Sequence, residues 1–106
     1  MKKLLSLFAV ISAISANADR VTIASVVNVS TYAVNSQLFR EIGFRKPNDK
    51  NVYGLQIPVK GNNSILLDDC YRDSQLMLSQ PTGRSMIVDY SLDANGLPIV
   101  SGCYLR

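Results

Sequence analysis

The chain contains no histidine. That absence removes the commonest proton shuttle at neutral pH, and with it every Ser-His or Cys-His nucleophile pair. It also leaves zinc short of ligands, since a structural site needs four from Cys, His or carboxylates. Cysteine is nearly as scarce, with Cys70 and Cys103 alone, and tryptophan is missing. The six glycines, at 43, 54, 61, 83, 96 and 102, are scattered, so no Gly-rich loop can cradle a phosphate. No Ser-x-x-Lys occurs either. Carboxylates remain at Glu41, Asp89 and Asp93, but no spacing pairs them, and Asp89 lies opposite an apolar strand face, where a solvated acid is ordinary. The expectation is a protein that binds: no enzyme, no catalytic residue, no cofactor and no metal.

Long apolar runs are also lacking, save one. Leu4 to Ile14 is interrupted only by Ser6 and Ser12, follows Lys2-Lys3, and leads into Ser15-Ala16-Asn17-Ala18 before Asp19-Arg20. A positive start, an apolar stretch and small residues at an Ala-x-Ala site are the parts of a cleavable signal peptide. The stretch is far short of the roughly 20 apolar residues a spanning helix needs. Residues 1–18 are therefore expected to be a leader, and residues 19–106 a single small domain in the periplasm or outside the cell, with no membrane span after cleavage. Lys2 and Lys3 leave with the leader. The nine remaining Lys and Arg then face eight Asp and Glu, too even a balance for nucleic acid, which wants clustered cations. Arg45-Lys46 with Lys50 comes nearest, and it flanks a Pro-Asn-Asp turn.

In an exported chain an even pair of cysteines reads as a disulfide. Joining Cys70 to Cys103 closes a loop whose lost chain entropy is worth about 3.7 kcal/mol. A domain this short buries only about 60–65% of its unfolded surface, so that is a large share of a total of roughly 5–10 kcal/mol.

Residues 20–32 are dense in β-branched side chains, with Val21, Ile23, Val27 and Val29 at period two against Thr22, Asn28 and Ser30. Residues 37–45 alternate again, Leu38, Ile42 and Phe44 opposing Glu41 and Arg45. Lys46-Pro47-Asn48-Asp49-Lys50-Asn51 carries turn chemistry. Residues 52–59 form a third strand that must end or lie at an edge at Pro58. The period then changes. Leu67, Cys70, Tyr71, Ser74, Met77 and Leu78 trace a helical stripe, with Asp68 and Asp69 as cap and first-turn charge and Pro81-Thr82-Gly83 as its end. Asp68, Asp69 and Asp73 lack calcium-loop spacing. Residues 85–92 and 97–105 make a hairpin about Asp93-Ala94-Asn95-Gly96, which puts Cys103 on the last strand.

The predicted order is strand, strand, strand, helix, strand, strand. It is mostly β, and one helix between strands 3 and 4 of five is the order of an OB-like barrel. A plain α+β sheet with one helix packed on it gives the same string. Five tyrosines, at 32, 53, 71, 90 and 104, are either caps of a small core or contact surface for a glycan or protein. Asn28-Val29-Ser30 and Asn62-Asn63-Ser64 fit the glycosylation pattern, which a leader of bacterial style makes uninformative.

The run from Asp69-Cys70-Tyr71-Arg72-Asp73 through Pro81-Thr82-Gly83-Arg84 into Ser85-Met86-Ile87-Val88, closed by Cys103, resembles small exported OB-like proteins of gammaproteobacteria of unknown function. More distantly, it resembles the receptor-binding B subunits of bacterial AB5 toxins. The likeness covers residues 67–104 and carries no ligand-binding residue across. The closer likeness implies unknown function, and the first expectation is an exported binding module for a glycan or an extracellular or envelope protein, which can assemble with copies of itself. The alternative is a periplasmic inhibitor or envelope accessory protein that blocks a partner.

Overall fold

The computed structural model describes residues 19–80 and 83–106. The expected leader lies outside them, as do Pro81 and Thr82. Six strands and one helix follow in order: β1 (Asp19–Ile23), β2 (Ser25–Val34), β3 (Gln37–Arg45), β4 (Tyr53–Pro58), α1 (Ser64–Ser79), β5 (Met86–Leu92) and β6 (Pro98–Leu105). They form two antiparallel three-stranded sheets, β1-β5-β6 and β2-β3-β4. No described helix is long and apolar enough to cross a membrane.

This corrects the expected five-stranded OB-like barrel. The chain has six strands rather than five, and no ladder closes them into a barrel among the described residues. The long β-branched run breaks at Ala24, whose N–H donates to the Arg45 carbonyl at 2.8 Å. Its first half then pairs with β5 and its second with β3. A bulge between Val26 and Asn28 shifts the phase again. Val21, Ile23 and Val26 therefore enter the core, while Val27 stays half-exposed, because one extra residue moves every later side chain to the other face.

Prolines stand where β4 and β6 approach each other. Pro58 ends β4, Pro98 begins β6, and neither has an N–H to donate. Asn62 substitutes for the missing rungs. Its Nδ2 donates to the Pro58 carbonyl at 2.7 Å and to the Pro98 carbonyl at 3.2 Å, and its Oδ1 accepts from the Val100 N–H at 2.8 Å.

Ile23, Ile42, Ile57, Met77, Met86 and Val88 are almost fully buried where the two sheets and the helix meet. The helix lies against β2 and β6, on the outer strands of both sheets. It starts earlier than the carboxylates imply. Asn63 is the N-cap, its side chain accepting from the Leu66 N–H at 3.0 Å. Asp68 and Asp69 stand a turn further on, pairing with Arg40 at 3.5 Å and Arg72 at 2.9 Å. Leu67, Cys70, Ser74 and Met77 face the core, and the Ser74 hydroxyl meets the Tyr71 carbonyl at 2.6 Å. Leu78, one residue before the helix end, stays 41% exposed although it lies close to the line of Leu67. Cys70 bonds to Cys103, with Cα atoms 5.4 Å apart.

Candidate binding cleft

The segment 46–52 is more than a solvated turn. Asn48 takes a left-handed φ of 59°, which Asn tolerates better than most residues, and this turns Asp49 back toward β4. Asp49 Oδ1 accepts from the Asn51 N–H at 2.8 Å, and Oδ2 accepts from the Tyr53 hydroxyl at 2.6 Å. The Tyr53 hydroxyl first, and then the Asn51 N–H, hold the Asp49 carboxyl below its ordinary range; the same bond raises the Tyr53 phenol. Lys46 Nζ lies 4.5 Å from the centre of the Tyr53 ring, and Phe44 packs beside that ring at 5.8 Å.

Phe44, Lys46, Pro47, Tyr53, Gly54 and Leu55 form one wall of a cleft of about 370 Å³, with β1 and Tyr90 on the other side. The volume is within the range of small-ligand sites, which pair apolar and aromatic walls with a few placed polar groups. A larger hollow of about 680 Å³ lies where Asn35 and Ser36 meet Lys60, Asp93 and Asn95. It is lined by turn residues and the start of β3, with no aromatic ring among the described residues. The tyrosine cleft is therefore the better candidate.

The five tyrosines separate by role. Tyr53 and Tyr90 line the cleft. Tyr71 fastens the helix to the β2-β3-β4 sheet, its ring 4.3 Å from the Arg40 guanidinium carbon and its hydroxyl 3.3 Å from Thr31 Oγ1. Tyr104 lies on the outer face of β6, beside Arg20. Tyr32 stacks on Phe39; burial and then the nearby Glu41 carboxylate raise its phenol.

The carboxylates considered for catalysis fall on separate elements with separate tasks. Asp93 shapes the β5–β6 turn, its Oδ1 accepting from the Asn95 and Leu97 N–H groups at 2.8 and 2.9 Å. Glu41 is on β3. Asp89 receives both Arg20 Nε (2.7 Å) and Nη2 (2.9 Å), a bidentate pair between β1 and β5. No group of three or more acids or thiols that could hold a metal occurs among the described residues. Burial and then Asp69 raise the Asp73 carboxyl. Around the turn, Arg45 Nε donates to the Lys50 carbonyl at 3.4 Å and Lys46 lies over Tyr53.

The Arg20 pair has a measurable consequence. Its hydrogen bonds, ahead of every other influence, hold the Asp89 carboxyl below the usual range. A depressed folded-state value stabilises the fold above about pH 4, the unfolded value, and that contribution is lost as pH falls through the lowered one. Thermal midpoints measured from pH 5 down to pH 2 should therefore fall less steeply in Asp89→Asn than in the unaltered protein. Parallel curves would contradict the assignment.

No family model matches the chain, and no curated protein or solved structure proves similar to it.

Proposed function

We propose that the chain is an exported binding module that holds a glycan or a protein segment in the Tyr53–Tyr90 cleft. The observation that carries this reading is the tyrosine wall itself: a ring fixed by Asp49 at its hydroxyl, by Lys46 over its face and by Phe44 at its side. A ring held this way offers broad contact area and loses little conformational freedom on binding. Action by binding also fits a chain without histidine or a free thiol, whose candidate carboxylates are on different elements.

The test uses the protein recovered after export, whose mass should begin at Asp19. Its binding is measured on a glycan array and by capture of envelope proteins, with and without Tyr53→Ala and Tyr90→Ala. Each substitution should weaken binding about tenfold or more, the scale of a lost aromatic contact. Retained affinity in both variants would overturn the cleft reading. Hydrolysis of a substrate that disappears in Asp89→Asn would overturn the non-enzymatic one.

A further inference from the structure

The outer face of the β2-β3-β4 sheet is built to a pattern that packing alone does not require. Its register sets three rows across the strands, and the inward positions of Ile42, Phe44, Leu55 and Ile57 identify which face is outer. One row is Asn28, Gly43 and Gly54. The next is Ser30, Glu41 and Gln56, and the last contains Tyr32 and Phe39. Asn28, Gly54 and Gln56 are exposed.

The paired glycines have no turn to make. Neither is in the left-handed region, which holds only Gly61, Gly83 and Gly96 among the described glycines. What they provide is space. A Cβ on Gly43 would strike Asn28 Oδ1, and one on Gly54 would stand 2.7 Å from Glu41 Oε2. The absence of both Cβ atoms lets the Asn28 amide and the Glu41 carboxylate lie flat on the sheet. Beside them Tyr32 and Phe39 stack with ring centres 5.8 Å apart and planes 16° from parallel.

We propose that this face is a second binding site, separate from the tyrosine cleft, for a neutral oligosaccharide. A pyranose ring rests its C–H face against the free side of the Tyr32–Phe39 stack, Glu41 accepts from neighbouring hydroxyls, and the Asn28 and Gln56 amides donate and accept. The chemistry of the grid selects that class. Its polar middle row is unlike the apolar centre of a stable protein interface, and the one charge within its three rows, on Glu41, is negative, which opposes nucleic acid and acidic sugars alike. Arg45, the next outward position on β3, turns its Nε to the Lys50 carbonyl.

The experiment titrates isotope-labelled exported protein with maltotriose, mannotriose and chitotriose, following backbone amide shifts by NMR. One of the three should move the amides of Tyr32, Glu41 and Gln56 together. Glu41→Gln should weaken that sugar about tenfold or more, as loss of a hydrogen bond to a charged group does, and Gln56→Ala about threefold or more, as loss of a neutral one does. Gln56 is exposed on β4 and does not line the cleft, so its truncation keeps the fold and thermal midpoint while removing the amide. Three results overturn the proposal: no response to any trisaccharide, binding unchanged by both substitutions, or shifts confined to Tyr53 and Tyr90. The last would leave the cleft reading standing.

Discussion

Reducing the Cys70–Cys103 bond should lower the unfolding midpoint by about 15–30 °C. The bond joins residues 33 positions apart, and freeing that loop returns about 3.7 kcal/mol of chain entropy to the unfolded state. In a domain this small each kcal/mol moves the midpoint by about 4–8 °C. The bond also ties α1, which bridges the outer strands of both sheets, to β6, which belongs to one. Cys70→Ser should cost more than reduction does, because Cys70 is fully buried and a hydroxyl there is left without a designed partner. Calorimetry on the oxidised, reduced and Cys70→Ser proteins separates the two effects. A reduced protein melting within a few degrees of the oxidised one would refute the cross-link as a main source of stability.

Asn62→Ala should destabilise the domain by about 2–4 kcal/mol, more than an ordinary surface substitution. Three hydrogen bonds vanish at once, each worth about 1 kcal/mol net, with a further penalty for partly buried groups left unpaired. The unpaired groups are the carbonyls of Pro58 and Pro98 and the Val100 N–H. Those are the points where the two sheets meet without a ladder of their own. Asn62→Asp makes a sharper test. It keeps the acceptor for Val100 but turns a carboxylate toward two carbonyls, so only its protonated form can donate to them. A carboxyl favoured in its protonated form stabilises the fold at low pH and loses that contribution as pH rises through its raised value. The gap between Asn62→Asp and the unaltered protein, read as urea midpoints, should therefore narrow from pH 7 toward pH 4. A pH-independent gap would mean that the donor bonds do not matter.

Asn62 also shows where sequence reading runs out. Its neighbours mark a turn after Pro58, and nothing local indicates that its amide will reach Val100, far along the chain. The same holds for Asp49 and Tyr53. The Pro47-Asn48-Asp49 turn was legible from residue types, whereas its role as a wall depends on Asn48 adopting a positive φ and returning the carboxylate to β4. Tyr32, Tyr53, Tyr71, Tyr90 and Tyr104 are alike as letters. Only their positions relative to two sheets and a helix make two of them cleft, one of them seam and two of them outer surface. Gly43 and Gly54 read as bulge or turn glycines, and their pairing appears only once β3 and β4 are in register. The N-cap was detectable in principle: Asn63 directly precedes the helix, and Asn leads the N-cap preferences. The acidic pair that follows drew the boundary several residues late.

By itself the sequence determined the mostly β character, the helix about Cys70 and Met77, the closing hairpin and the pairing of the only two cysteines. Each of these depends on local periodicity, turn residues or simple counting, which need no knowledge of distant parts of the chain. The division into two sheets was decided by tertiary structure alone. A break at Ala24 and a bulge after Val26 redirect one unbroken β-branched run into two ladders. Whether such a run stays whole or divides depends on which strands are free to pair with each half, and the first half's partner, β5, lies more than sixty positions further along the chain (Ile23 to Met86).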